Sequence, residues 1–109
     1  LEKRARFLWE LGEICIDLQY LDEGIGYCEK SINLCRKLPN GILWEVDNLQ
    51  TIAHAYTWKN DFRKAREYFE AALNKMPKGI QSEYKTLLEI VIYWRLSDLY
   101  SLYYPYKTE

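Results

Sequence analysis

The chain has 109 residues, 49% hydrophobic and 16% aromatic, with 15 basic and 16 acidic side chains and a net charge of -1. This suffices for one small domain with an ample core, and the balanced charge argues against nucleic acid or an anionic membrane surface as a partner. No apolar run reaches the roughly 18 residues that membrane insertion requires.

The chain opens on Leu1, followed by Glu2, Lys3, Arg4 and Arg6, with no signal-peptide pattern. This reads as a piece of a longer protein. The three cysteines, Cys15, Cys28 and Cys35, are odd in number and sit inside apolar helical patterns, which argues against a disulfide framework and for a reducing, cytoplasmic setting. Ten Tyr and four Trp against three Phe point to half-buried positions and interfaces, where an apolar body with a polar tip is useful.

Apolar side chains at Phe7, Leu8, Leu11, Ile14, Cys15 and Leu18 predict a first helix over 3–19. Gln19-Tyr20-Leu21-Asp22 breaks the stripe. Asp22 is positioned to cap a second helix that runs to about Leu38, with Ile25, Cys28, Ile32 and Cys35 on one face. Pro39-Asn40-Gly41 ends it. A third helix spans 42–58 through Leu43, Val46, Leu49, Ile52, Ala53 and Tyr56. The turn Lys59-Asn60-Asp61 supplies Asn60 or Asp61 as the cap of a fourth, over 62–76, with Ala65, Tyr68, Phe69, Ala72, Leu73 and Met76. Pro77-Lys78-Gly79 echoes Pro39-Asn40-Gly41 at an offset of 38, which implies that the second helix is about three residues longer than the fourth.

The stretch from Ile80 to Leu96 is helical, and two registers compete for it. An offset of 38 pairs Leu49 with Leu87, Ile52 with Ile90 and Tyr56 with Trp94, and ends the helix near Ser97-Asp98. An offset of 44 pairs Ile52 with Leu96 and Tyr56 with Tyr100, and carries the helix to about Tyr103. The first is preferred because the Pro-x-Gly-Ile anchors align. Pro105 stops the helix in either case.

The chain also repeats itself. Leu8, Leu11, Gly12, Cys15, Leu21, Gly24, Cys28 and Ser31 recur as Leu49, Ile52, Ala53, Tyr56, Phe62, Ala65, Phe69 and Ala72, each pair 41 residues apart. Such a period means stacked supersecondary units. The small pairs Gly12/Gly24 and Ala53/Ala65 mark where antiparallel helices cross closely. Cys15 and Cys28 stand in the places of Tyr56 and Phe69, so the first hairpin has a smaller core, which Tyr20, Tyr27 or Trp9 would help to fill.

This layout resembles the tetratricopeptide repeat family. Leu49, Ile52, Ala53, Tyr56, Ala65, Phe69, Ala72 and Pro77 follow the family pattern, and Leu8, Leu11, Gly12, Gly24 and Ser31 follow it in the first unit, with Cys15 and Cys28 as departures. The usual period is about 34 residues; the period of 41 implies longer helices, a variety met in bacterial regulatory and signalling proteins. The resemblance implies an all-α solenoid of stacked antiparallel hairpins, with five or six helices and about two and a half repeats. Their bounds are 3–39, 42–77 and a partial third over 80–104, in a single domain.

The resemblance further implies a non-enzymatic scaffold that binds a protein or peptide in the concave groove lined by the first helix of each unit. Residues there that lie off the core stripe are Trp9, Glu13, Ile16 and Asp17, then Asp47, Gln50, Thr51, His54, Thr57 and Trp58. Of these, Trp9, Glu13, Asp17, Asp47, Gln50, His54 and Trp58 are the candidate partner-binding set. Their acidic members favour a basic ligand. Family members that hold a C-terminal carboxylate use Lys and Asn at places that here carry Trp9, Glu13 and Thr51, so that mode is not expected. A second reading makes the chain a sensory or dimerisation segment that self-associates through the aromatic C-terminal helix. Trp94, Tyr100 and Tyr103 would be the contact residues, with Tyr93, Tyr104 and Tyr106 nearby.

No constellation supports catalysis. His54 is the lone histidine and has no nucleophile in pattern. Cys15, Cys28, Cys35 and His54 lack the close spacings of a zinc site, and no phosphate loop is present. No cofactor and no metal is expected.

Overall fold

The computed structural model describes residues 1–79 and 81–103. Five α-helices follow in chain order: α1 Glu2–Asp17, α2 Leu21–Cys35, α3 Ile42–Trp58, α4 Phe62–Lys75 and α5 Glu83–Tyr103. No strand is found among the described residues. The tyrosines expected at 104 and 106, and the stop at 105, lie outside them. Helices α1 and α2 pack as one hairpin and α3 and α4 as a second; α2 packs on α3, and α5 packs on both α3 and α4. The stack measures 45 × 34 × 18 Å. Ten of the seventeen residues of α3 are buried, because it alone is flanked by both hairpin partners and by α5.

The two hairpin turns are built alike. Gln19 and Asn60 both take the left-handed conformation, with φ 71° and 64°, and the next amides return to the helix: Tyr20 N–H to the Cys15 carbonyl at 2.7 Å and Asp61 N–H to the Tyr56 carbonyl at 3.0 Å. Asp61 caps α4, its carboxylate accepting from the Lys64 amide at 3.3 Å. Asp22 does not cap α2, contrary to expectation. That helix begins one residue earlier, at Leu21, so Asp22 falls inside its first turn and pairs with Lys59 across the two turns.

The expected extra length of α2 is also absent. It ends at Cys35, and residues 36–38 continue as a tight turn in which Lys37 N–H reaches the Leu34 carbonyl and Leu38 N–H the Cys35 carbonyl, each at 3.0 Å.

The close crossings fall where the small residues predicted them. A Cβ on Gly12 would lie 2.7 Å from Cys28 Sγ and 3.0 Å from the Gly24 carbonyl; one on Gly24 would lie 2.5 Å from Ile16 Cγ1. Ala53 and Ala65 are fully buried at the equivalent crossing. The smaller core of the first hairpin is not filled by the aromatics proposed for it. Tyr20 is 59% exposed, Tyr27 lies beneath the Lys30 ammonium, and Trp9 turns toward α3. Ile16, expected in the groove, fills that space instead. The absent Cβ of Gly24 admits it, and it is buried in the core. In the second hairpin Tyr56 stacks on Tyr68 at 5.5 Å, above a fully buried Phe69.

Helix α5 corrects the preferred register. It runs unbroken through Ser97 and Asp98 to Tyr103 and buries Leu88, Ile92 and Leu99. Leu87, Ile90 and Trp94, which the offset of 38 made core residues, are 60%, 58% and 63% exposed. The offset of 44 gives the observed length but not the buried stripe: Leu96 is only half-buried and Tyr100 is exposed. The helix is apolar on opposite sides, so periodicity alone does not tell which side docks.

Candidate functional site

The first helices of the units, α1, α3 and α5, share one face of the stack, and the polar residues that look out from it meet there. On α3, Asp47, Gln50 and His54 follow at spacings of three and four and so lie in one row, about 10 Å from end to end. Asp47 and Gln50, expected to line the open groove, are buried, because α5 leans over them. The Tyr84 hydroxyl donates to Asp47 Oδ2 at 2.7 Å, and Arg95 Nη1 donates to Gln50 Oε1 at 3.0 Å. Gln50 Nε2 in turn donates to Asp47 Oδ1 at 2.9 Å. From the α1 side, Trp9 Nε1 donates to Thr51 Oγ1 at 3.4 Å.

Arg95 is the electrostatic centre of this face. Its guanidinium is half-buried and feels Glu13, Asp47 and Asp17. Burial pushes the Glu13 carboxyl up to about 7; the negative charge of Asp47 adds to the rise and Arg95 opposes it. Burial likewise raises Asp47, against the hydrogen bonds from Gln50 and Tyr84 and the charge of Arg95. Burial and then Arg95 hold His54 down at about 4. His54 is therefore neutral at pH 7, and its Nε2 accepts from Trp58 Nε1 at 3.0 Å, the rings meeting edge to face at 6.0 Å. Three carboxylates face one guanidinium, so the face stays acidic.

Two depressions flank this cluster. One, of about 250 Å³, has Trp9, Trp44 and Tyr84 as walls and Ser31, Asp47 and Asn48 at its base. The other, of about 300 Å³, lies toward the far end of α3, where His54 and Trp58 face Arg95, Asp98 and Leu102 of α5. The structure thus brings Glu13, Asp17, Asp47, Gln50 and His54 around Arg95, and sets Trp9 and Trp58 in different depressions.

Sequence reasoning missed Trp44, Asn48, Tyr84 and Arg95. A fully buried asparagine in the middle of an apolar helix was a legible signal for one of them. Tyr84 and Arg95 depend on how α5 is rotated, which the pattern left open. Of the residues expected to self-associate, Trp94, Tyr100 and Tyr103 are all exposed, and Tyr103 also stacks on Phe62 at 3.5 Å. Cys28 and Cys35 are buried thiols, and burial pushes Cys28 up to about 12, an inert range for a nucleophile.

A stack of antiparallel hairpins whose first helices share a polar, aromatic-edged face is the architecture of an α-solenoid repeat protein. The model of the tetratricopeptide repeat family matches residues 5–38 and 46–74, and the chain belongs to that family. Comparison with curated proteins and with solved structures found no match. Repeats of this family are in general non-catalytic protein-interaction scaffolds. Among the described residues, no helix is long and apolar enough to cross a membrane.

Proposed function

We propose that the face shared by α1, α3 and α5 captures an extended or helical segment of a partner protein that carries basic side chains. The observation behind this reading is the half-buried polar cluster itself: Glu13, Asp47 and Gln50 are held around Arg95 by three helices, with an aromatic depression on either side. Such a cluster is costly unless its groups are matched, and its surplus of carboxylates over Arg95 favours a cationic ligand. Aromatic residues beside it are suited to be hot spots.

Random peptides displayed on phage and selected on the intact chain test this. Enriched sequences should be basic, and Trp9→Ala combined with Trp58→Ala should weaken them by at least about tenfold. Undiminished binding to that double variant would remove the groove from the account.

A second reading has its own observation. Leu87, Ile90 and Trp94, spaced three and four apart on α5, form one exposed apolar stripe, whereas Leu88, Ile92 and Leu99 of the same helix are buried. On α5 no helix among the described residues covers them. A second copy of the chain laying the same face against this one would bury them, which makes the chain a dimerisation segment. Sedimentation equilibrium should then show a dimer that Trp94→Ser combined with Ile90→Ser returns to monomer; a concentration-independent monomer would end this reading.

A further inference from the structure

We propose that the cavity walled by Trp9, Trp44 and Tyr84 is a pocket for a primary ammonium group, the side chain of a lysine on the segment bound in the groove. The inference rests on the groove reading and assigns it a chemical specificity.

Asn48 is fully buried at the base of the cavity. Its Nδ2 donates to Ser31 Oγ and to the Trp44 carbonyl, each at 3.0 Å. The Ser31 hydroxyl donates to the Ala5 carbonyl at 2.7 Å, so it can only accept from Asn48. A flipped amide would set oxygen against the Trp44 carbonyl. The orientation is therefore locked, and Asn48 Oδ1 is left buried without a hydrogen-bond partner. Buried polar groups are rarely left in that condition, and each exception calls for an occupant.

The donors at the base of the cavity are already committed: Asn48 Nδ2, the Ser31 hydroxyl and the Tyr84 hydroxyl. What remains are acceptors. Asn48 Oδ1 is free, and each Asp47 oxygen, holding one hydrogen bond, can take another. Such a base disfavours an anion, and a neutral donor would add nothing against the surplus of carboxylates over Arg95. An ammonium supplies three N–H donors and a positive charge, and aromatic faces on the walls add cation–π attraction. The one basic residue at the cavity, Arg6, is exposed and paired with Glu10 at 3.4 Å. The volume, about 250 Å³, lies below the roughly 300–1,000 Å³ of sites for whole small molecules and suits a single side chain. A trimethylated ammonium has no N–H and would leave Asn48 Oδ1 unsatisfied, so the pocket discriminates by hydrogen bonding as well as charge.

The test titrates N-acetyl-lysine methylamide, and its norleucine and trimethyllysine counterparts, into the nitrogen-15-labelled chain while the four indole N–H signals are followed. The lysine compound should shift the Trp9 and Trp44 signals saturably and leave that of Trp94 in place. The norleucine and trimethyllysine compounds should bind at least about fivefold more weakly, as should the lysine compound to Trp44→Ala and, separately, to Asp47→Asn. Equal responses to lysine and norleucine, or no saturable response, would overturn the proposal and make water the occupant. Failure of the groove reading is told apart by the selected peptides. Peptides that bind the groove without a lysine, beside an unmoved Trp44 signal, overturn the pocket alone. A saturable lysine response beside peptides indifferent to the double tryptophan variant overturns the groove alone.

Discussion

Gln19 and Asn60 occupy the same place in the two hairpin turns, 41 residues apart, and both are left-handed. Asparagine tolerates that conformation through its short polar side chain, whereas a glutamine Cβ crowds the following carbonyl. Glycine has no such strain but loses more freedom on folding. The balance favours the change: Gln19→Gly should stabilise the chain by about 0.5–1 kcal/mol, read as a higher urea midpoint at unchanged slope. A lower midpoint would show that the Gln19 side chain contributes more than its backbone strains. At this scale much was legible in the residues themselves. Gly12 and Gly24 announced a close crossing, which the structure shows, because only a missing side chain lets two helix backbones approach so nearly. Ile16 was not legible, since its groove position and its core position differ only by the space that Gly24 leaves.

Between elements, the least expected feature is Glu45, a buried carboxylate in the first turn of α3. Arg36, just past α2, donates to its Oε2 at 3.1 Å, and Lys75, at the end of α4, lies 2.9 Å from the same oxygen. One oxygen thus ties three helices at one end of the stack. Both cations are half in solvent, and removing either leaves the buried Glu45 carboxylate paired with the other, whereas removing Glu45 unties both. Glu45→Ala should cost about 1–2 kcal/mol, more than Arg36→Ala or Lys75→Ala alone. Urea denaturation of the three variants checks this ranking, and equal losses would contradict it. Helix α5 shows where element-level reading stopped. Apolar residues on opposite sides satisfied two registers, and the side that docks was decided by contact with α3 and α4.

For the molecule as a whole, the acidic cluster and His54 make opposed contributions to pH dependence. The Glu13 carboxyl rises from 4.5 to about 7 on folding, so the folded chain holds an extra proton in that window and stability falls as pH rises through it. His54 drops from 6.5 to about 4, so the folded chain holds one proton fewer between those values and stability falls as pH falls through them. Where the windows overlap, the two slopes offset each other, and the wild-type chain should be nearly level. Glu13→Gln should leave stability rising with pH up to about 6.5, and His54→Gln should leave it falling up to about 7. Solvent screening at these half-exposed sites holds each change to about 1 kcal/mol. Thermal unfolding across that range checks the two signs, and parallel curves for both variants would contradict the assignment. The repeat, the first four helices, the Asp61 cap and the family were readable from the sequence, because periodicity, small residues and Pro-x-Gly stops act locally and recur at a fixed distance. The chemistry of the face shared by α1, α3 and α5 was only half readable. Helical spacing placed Glu13, Asp47, Gln50 and His54 on one face, but the burial of Asp47 and Gln50 and the guanidinium among them depend on how α5 rotates against α3. That rotation is set by side-chain packing between helices far apart in the chain, which no local pattern encodes.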